Sequence, residues 1–98
     1  MFRSARLGWF NWESKQYETA VALDEQVELP SLIGDVALKD GEPHVHTHAE
    51  VGWRGGTAQG GHLHRAVVRP TCEVTLIESP RHLQKQHNPD SGLALIRF

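Results

Sequence analysis

Cysteine occurs once in these 98 residues, as Cys72, which excludes an internal disulfide and suits a reducing compartment. The first ten residues, M-F-R-S-A-R-L-G-W-F, contain no apolar core of a secretory signal. No apolar run approaches the roughly 20 residues that a membrane helix needs. These absences together point to a cytoplasmic protein with no membrane partner. Basic charge is also scarce: ten Lys and Arg stand against twelve Asp and Glu, for a net charge of -2. The arginines are scattered from Arg3 to Arg97 and form no basic stripe. Binding of duplex DNA by the chain's own surface is therefore expected to be weak or absent. Residues 52–61 are glycine-rich but lack the Gly-Lys-Ser/Thr ending of a phosphate loop. No segment carries a long amphipathic helix, and there is no repeat or low-complexity tract.

What remains reads as a single small domain built mainly from strands. Residues 6–12 are aromatic and apolar and suit a strand, and residues 11–15 carry turn formers. Residues 16–23 fit either period: Tyr17, Thr19, Val21 and Leu23 alternate as in a strand, while Tyr17, Ala20, Val21 and Asp24 match a helical turn. Residues 27–38 are rich in β-formers, with Pro30 and Gly34 marking an edge or a bulge. Asp40-Gly41 is a strong hairpin turn, because it supplies the positive φ that a tight turn requires. A strand is expected over residues 72–77, one or two helical turns from Ser79-Pro80 to Leu83, a turn at residues 88–92 and a closing strand over residues 93–98. Such a sheet has little in the chain to cover its second face, so it must curl into a barrel or bury that face against other subunits. Strand edges also need pairing or blocking. Association of identical subunits into a closed ring answers both needs, and a homo-oligomer is expected.

Five of the seven histidines fall within residues 43–65. His44, His46 and His48 alternate with Val45 and Thr47, so on a strand they line one face, followed there by Glu50. Beyond the glycine-rich loop, His62 and His64 repeat the alternation. If the two strands pair with His48 opposite His62 and His46 opposite His64, all four imidazoles share one face. Opposed Cβ atoms would then lie about 4.5–5.5 Å apart. A slip of one residue turns His62 and His64 to the other face. Three neutral imidazoles suit a divalent ion, zinc foremost, with a fourth position open to water. Such clusters can also be surface or interface histidines with ordinary hydrogen bonds. Matched parity on adjacent strands favours the metal.

In this order the motifs resemble the PPC (plants and prokaryotes conserved) domain, found in plant AT-hook nuclear proteins and as stand-alone bacterial and archaeal proteins. The family's Glu-x-x-Ser-Leu-x-Gly segment is matched by Glu28, Ser31, Leu32 and Gly34. Its Asp-Gly-x-Pro turn is matched by Asp40, Gly41 and Pro43, its His-x-His strand by His46 and His48, and its Gly-Gly-His-Leu segment by Gly60, Gly61, His62 and Leu63. Glu73 matches the glutamate that opens the next strand. The resemblance implies an α+β fold that is mainly antiparallel sheet with little helix. It implies one domain over residues 1–98 without the family's usual N-terminal strand and helix. It also implies a trimer, and a DNA-binding or transcription-related role. No AT-hook is present, so the DNA-binding part of the plant proteins does not carry over.

The resemblance selects His46, His48 and His62 as metal ligands, with His44, His64 and Glu50 as further ligands or supporting partners. Glu73 is a candidate general base or a carboxylate bonded to backbone N–H groups. Cys72 is expected in the core, Trp53 and Arg54 over the cluster or at a subunit contact, and His82 and His87 in solvent. Three functions stay open. The first is an oligomeric binding module with a metal site, and the second a zinc enzyme acting on a small molecule. The third is a cupin-like barrel, which ranks last. His44, His46 and Glu50 match part of a His-x-His-x₃-Glu pattern, but the chain has no room for the second cupin motif.

Overall fold

The computed structural model describes residues 1–80 and 84–97. Seven strands follow one another: β1 (Phe2–Asn11), β2 (Gln16–Leu23), β3 (Glu28–Lys39), β4 (Glu42–Gly52), β5 (Ala58–Val68), β6 (Gln84–His87) and β7 (Ala94–Arg97). The first five form one antiparallel sheet in the order β2-β1-β5-β4-β3, and β6 and β7 form a separate hairpin. The mainly antiparallel architecture matches expectation. No helix occurs among the described residues, so the α component of the expected class finds no support there. No helix among them is long and apolar enough to cross a membrane.

The open question of period resolves as a strand. Residues 16–23 pair along β1, with a register shift between Leu7 and Gly8. In β3 the ladder shifts between Glu28 and Ser31, the bulge that Pro30 signalled. Asp40 and Gly41 both take positive φ, 53° and 79°, and close the β3–β4 hairpin with Lys39 opposite Glu42. The loop after β4 is shorter than the glycine spacing suggested. Trp53 N–H donates to the Thr57 carbonyl at 2.9 Å, and Gly60 and Gly61 lie inside β5.

Other expectations need correction. Residues 72–77 do not form a strand; Leu76 and Ile77 are 79% and 88% exposed. Despite their β-forming composition, they pair with no strand among the described residues. The helical turns expected up to Leu83, His82 and the last residue of the closing strand lie outside the described residues. The closing strand itself pairs with β6, a strand the sequence pattern did not mark.

The core gathers around the start of β1 and the end of β4. Phe2 and Val27 exchange backbone hydrogen bonds of 3.0 and 2.9 Å, joining β1 to the chain entering β3. That bridge brings Phe2, Ala5, Leu7, Val27, Ala49 and Val51 together as the buried cluster. Trp53 packs against this cluster and its indole N–H donates to Glu25, so it serves the core rather than covering the histidines. The buried set is small. The radius of gyration is 14.9 Å, above the roughly 13 Å of a compact domain of this length.

Candidate metal centre

Alternation sets which residues of β4 face which way. Ala49 and Val51 point into the core, so His46, His48 and Glu50 must stand on the opposite face. In β5, Leu63 packs towards the core and His62 stands with the β4 histidines. The β4–β5 register places His48 directly opposite His62. Three imidazoles from two strands thus meet on one sheet face.

Their ring centroids are 5.1 Å apart for His46–His48, 5.1 Å for His46–His62 and 5.5 Å for His48–His62. One nitrogen from each lies within 4.8 Å of the others. A tetrahedral ion bound at about 2.0–2.1 Å would set its ligand atoms roughly 3.3 Å apart, a gap that small ring rotations can close. Two buried nitrogens, His46 Nε2 and His62 Nδ1, have no hydrogen-bond partner among the described residues. Buried polar atoms rarely stay unpaired, and an ion accepting their lone pairs would satisfy both. The donor set therefore fits a divalent metal.

Protonation favours the same use. Burial holds the His62 imidazolium down to a pKa of about 4, and the neighbouring His46, His64, His48 and His44 add to the effect. Burial is also the main cause of the lowered pKa of His46, followed by the ammonium of Lys85 and the neighbouring His48; Asp35 opposes the shift. Both rings are thus neutral at pH 7 and free to donate a lone pair.

The remaining nominated residues sit outside the three-histidine group. The β4–β5 ladder ends at His48 and His62, so His46 and His64 are not paired as expected. The cause is a bulge: Leu63 pairs with Leu7 and Arg65 with Arg6, which leaves His64 over. Its ring lies over Gly8, where an added Cβ would stand 1.9 Å from Nε2, so a larger residue there would push the ring aside. His44 lies two residues beyond His46, opposite Ala37, and is exposed. Glu50 is exposed between Ser31 and Gly60. Glu73 is exposed beyond the sheet, Cys72 is half-buried and His87 is exposed on β6.

Sequence patterning missed four contributors. Tyr17 of β2 stacks on His62 with centroids 4.1 Å apart and ring planes at 27°, and meets His64 edge-on at 6.0 Å. Phe10 lies edge-on to Tyr17 at 5.2 Å and extends the aromatic shelf. Asp35 opposes His46 across the β3–β4 ladder, and its carboxylate pairs with Lys85 of β6 at 2.8 Å. The Lys85 side chain is only 4% exposed. Tyr17's alternation was visible, but the strand neighbours that carry it to His62 are not consecutive in the chain.

This geometry can be set beside known proteins. The family model for the Plants and Prokaryotes Conserved (PCC) domain matches residues 1–80. A search of curated proteins found no significant match. Among solved structures, a metal-containing protein of Archaeoglobus fulgidus is 32% identical, with a TM-score of 0.77, and the match covers 99% of this chain and 68% of that one. A plant- and prokaryote-conserved (PPC) protein of Pyrococcus horikoshii is also 32% identical, at TM-score 0.77 and 99% and 66% coverage. A protein of Ralstonia eutropha, named as a candidate DNA-binding protein, is 26% identical, at TM-score 0.86 and 99% and 67% coverage. The chain thus spans about two thirds of the length of each of these neighbours. With the motif order, the sheet and the family match in agreement, the chain belongs to the Plants and Prokaryotes Conserved domain family.

Proposed function

We propose that this chain is a self-associating, metal-binding PPC module in which His46, His48 and His62 hold one divalent ion, zinc foremost. The observation that carries it is the convergence of three imidazoles with two buried, unpartnered nitrogens. The metal-containing Archaeoglobus neighbour supports it. An ion held there would supply an electrophilic centre with a position open to an outside donor. The chain's own residues supply the rest: the β4–β5 register sets the ligand spacing, burial keeps the His46 and His62 rings unprotonated, and Tyr17 holds the plane of His62. Hydrolytic catalysis would also need an acid or base beside the ion. Glu73, the nominated base, is exposed outside the sheet, so the binding module is preferred to the zinc enzyme.

Self-association rests on the β3–β4 hairpin. Its far half runs past the end of the β4–β5 ladder, leaving one edge of β4 unpaired from its start to Thr47 among the described residues. Val36, Leu38 and Val45 are exposed on one face of that arm. Exposed apolar side chains beside a free strand edge are what a second copy covers. A closed trimer is the arrangement expected of the family. The DNA-linked role rests on the family and the name of the Ralstonia neighbour. The net charge of -2 favours contact with DNA through partner proteins over contact by this chain alone. The single cysteine fits a cytoplasmic setting.

Metal analysis of untagged protein tests the centre. About one zinc per protomer is expected, with loss in His46→Ala, His48→Ala and His62→Ala. Equal content in the parent and all three variants would refute it. Sedimentation at micromolar concentration tests assembly: a trimer is expected, and a stable folded monomer would refute it.

A further inference from the structure

The histidine face continues past His48 into a groove of about 330 Å³ lined by Ser31, Ile33, His48, Glu50, Gln59 and Gly60. The sheet register builds it. Ile33 opposes His48, and Ser31 and Gly60 flank Glu50 from either side. Opposed residues share a face, so the groove lies on the same side as the three imidazoles. Gly60 contributes no side chain and leaves the floor open. A Cβ there would stand 3.3 Å from the Ala49 carbonyl oxygen. The volume is at the lower end of the range for small-molecule sites.

The groove has three kinds of wall. His48 lines it on the side of the histidine cluster, and Ile33, 73% exposed, is an apolar side. Glu50 and Ser31 supply a carboxylate and a hydroxyl. Glu50 takes part in neither of the ion pairs among the described residues, which join Arg6 to Asp24 and Lys85 to Asp35. A carboxylate without a cation, beside a candidate metal ligand, is suited to receive a positive group. His48 and Glu50 are two residues apart on one strand face, so their Cβ atoms are separated by roughly 6.6 Å. A molecule of amino-acid size spans that distance.

We propose that this groove binds a small ligand with two functional groups: a donor that enters the open position of the ion and a protonated amine that donates to Glu50. Ser31 accepts or donates a further hydrogen bond, and Ile33 packs on the ligand's carbon atoms. A purely anionic ligand is disfavoured, because Glu50 repels it. The proposal rests on the metal reading given above.

The test uses full-length protein loaded with cobalt, whose visible spectrum reports both the centre and anything that enters it. Two probes are titrated, glycine hydroxamate and acetohydroxamate. Both offer the same chelating group, and only the first carries an ammonium. The expected preference for glycine hydroxamate is about tenfold greater in the parent than in Glu50→Gln, the scale of one charge-assisted hydrogen bond. Ser31→Ala should reduce the preference by a smaller factor. An equal preference in parent and Glu50→Gln, with an unchanged cobalt spectrum, overturns the groove and leaves the metal centre standing. If the parent takes up no cobalt, the metal reading falls and the groove proposal falls with it.

Discussion

His62→Ala is the most informative single substitution. His62 lies 5.1 Å from His46 and 5.5 Å from His48 by ring centroid, and it is the member of the three-histidine group that β5 supplies. Without it, two imidazoles two residues apart on one strand remain. Four-ligand zinc peptides gain about 10–16 kcal/mol from metal, or roughly 3–4 kcal/mol per ligand. Loss of one ligand should thus raise the zinc Kd by about two to three powers of ten. The metal-free fold should suffer much less. Truncation removes a buried nitrogen that has no partner among the described residues, and the loss of packing against Tyr17 partly offsets that relief. Zinc at a hundred times the parent Kd should stabilise the parent by about 2.7 kcal/mol and the variant by almost nothing. Competition with a chromophoric chelator measures the affinity, and thermal melts with and without zinc measure the stabilisation. A variant Kd within threefold of the parent's, in a folded protein, would refute the three-histidine centre.

Acidification should release metal. The His62 pKa is lowered from an unfolded value of 6.5 to about 4, so between those values the unfolded chain holds more protons than the folded one. Stability conferred by the neutral ring is complete above about pH 6.5 and is lost as pH falls towards 4, and zinc affinity falls in the same direction; an affinity flat from pH 7 to 4.5 would contradict this. Tyr17→Ala should weaken zinc binding by about tenfold, the lower end for a supporting residue, while Tyr17→Phe keeps the stack and stays near the parent; equal Kd values for both variants in the same titration would show that the stack does not position His62. Duplex DNA should bind weakly or not at all at physiological salt, and sub-micromolar binding with a steep salt slope would reveal a basic surface created by assembly.

The strands and the central hairpin were legible because their signals are local. Asp40-Gly41 carries its own turn geometry, and the alternation of His44, His46 and His48 needs nothing beyond β4 to define a face. The opposition of His48 and His62 was one register among two, and it is the one observed. His64 was misjudged because a bulge depends on how β5 meets β1, which no pattern within β5 reveals. Tyr17 and Lys85 reach the histidine face through pairings or packing distant in sequence, so their types alone said nothing. Residues 72–77 show the reverse error, since β-forming composition makes a strand only where the segment docks on a partner edge, and this one does not.

Anomalous scattering at the zinc edge from crystals of untagged protein tests the centre most directly. A single peak bounded by His46, His48 and His62 is the predicted result. A peak held by His44 or His64 in place of those three, or no peak in crystals grown with zinc, would contradict it.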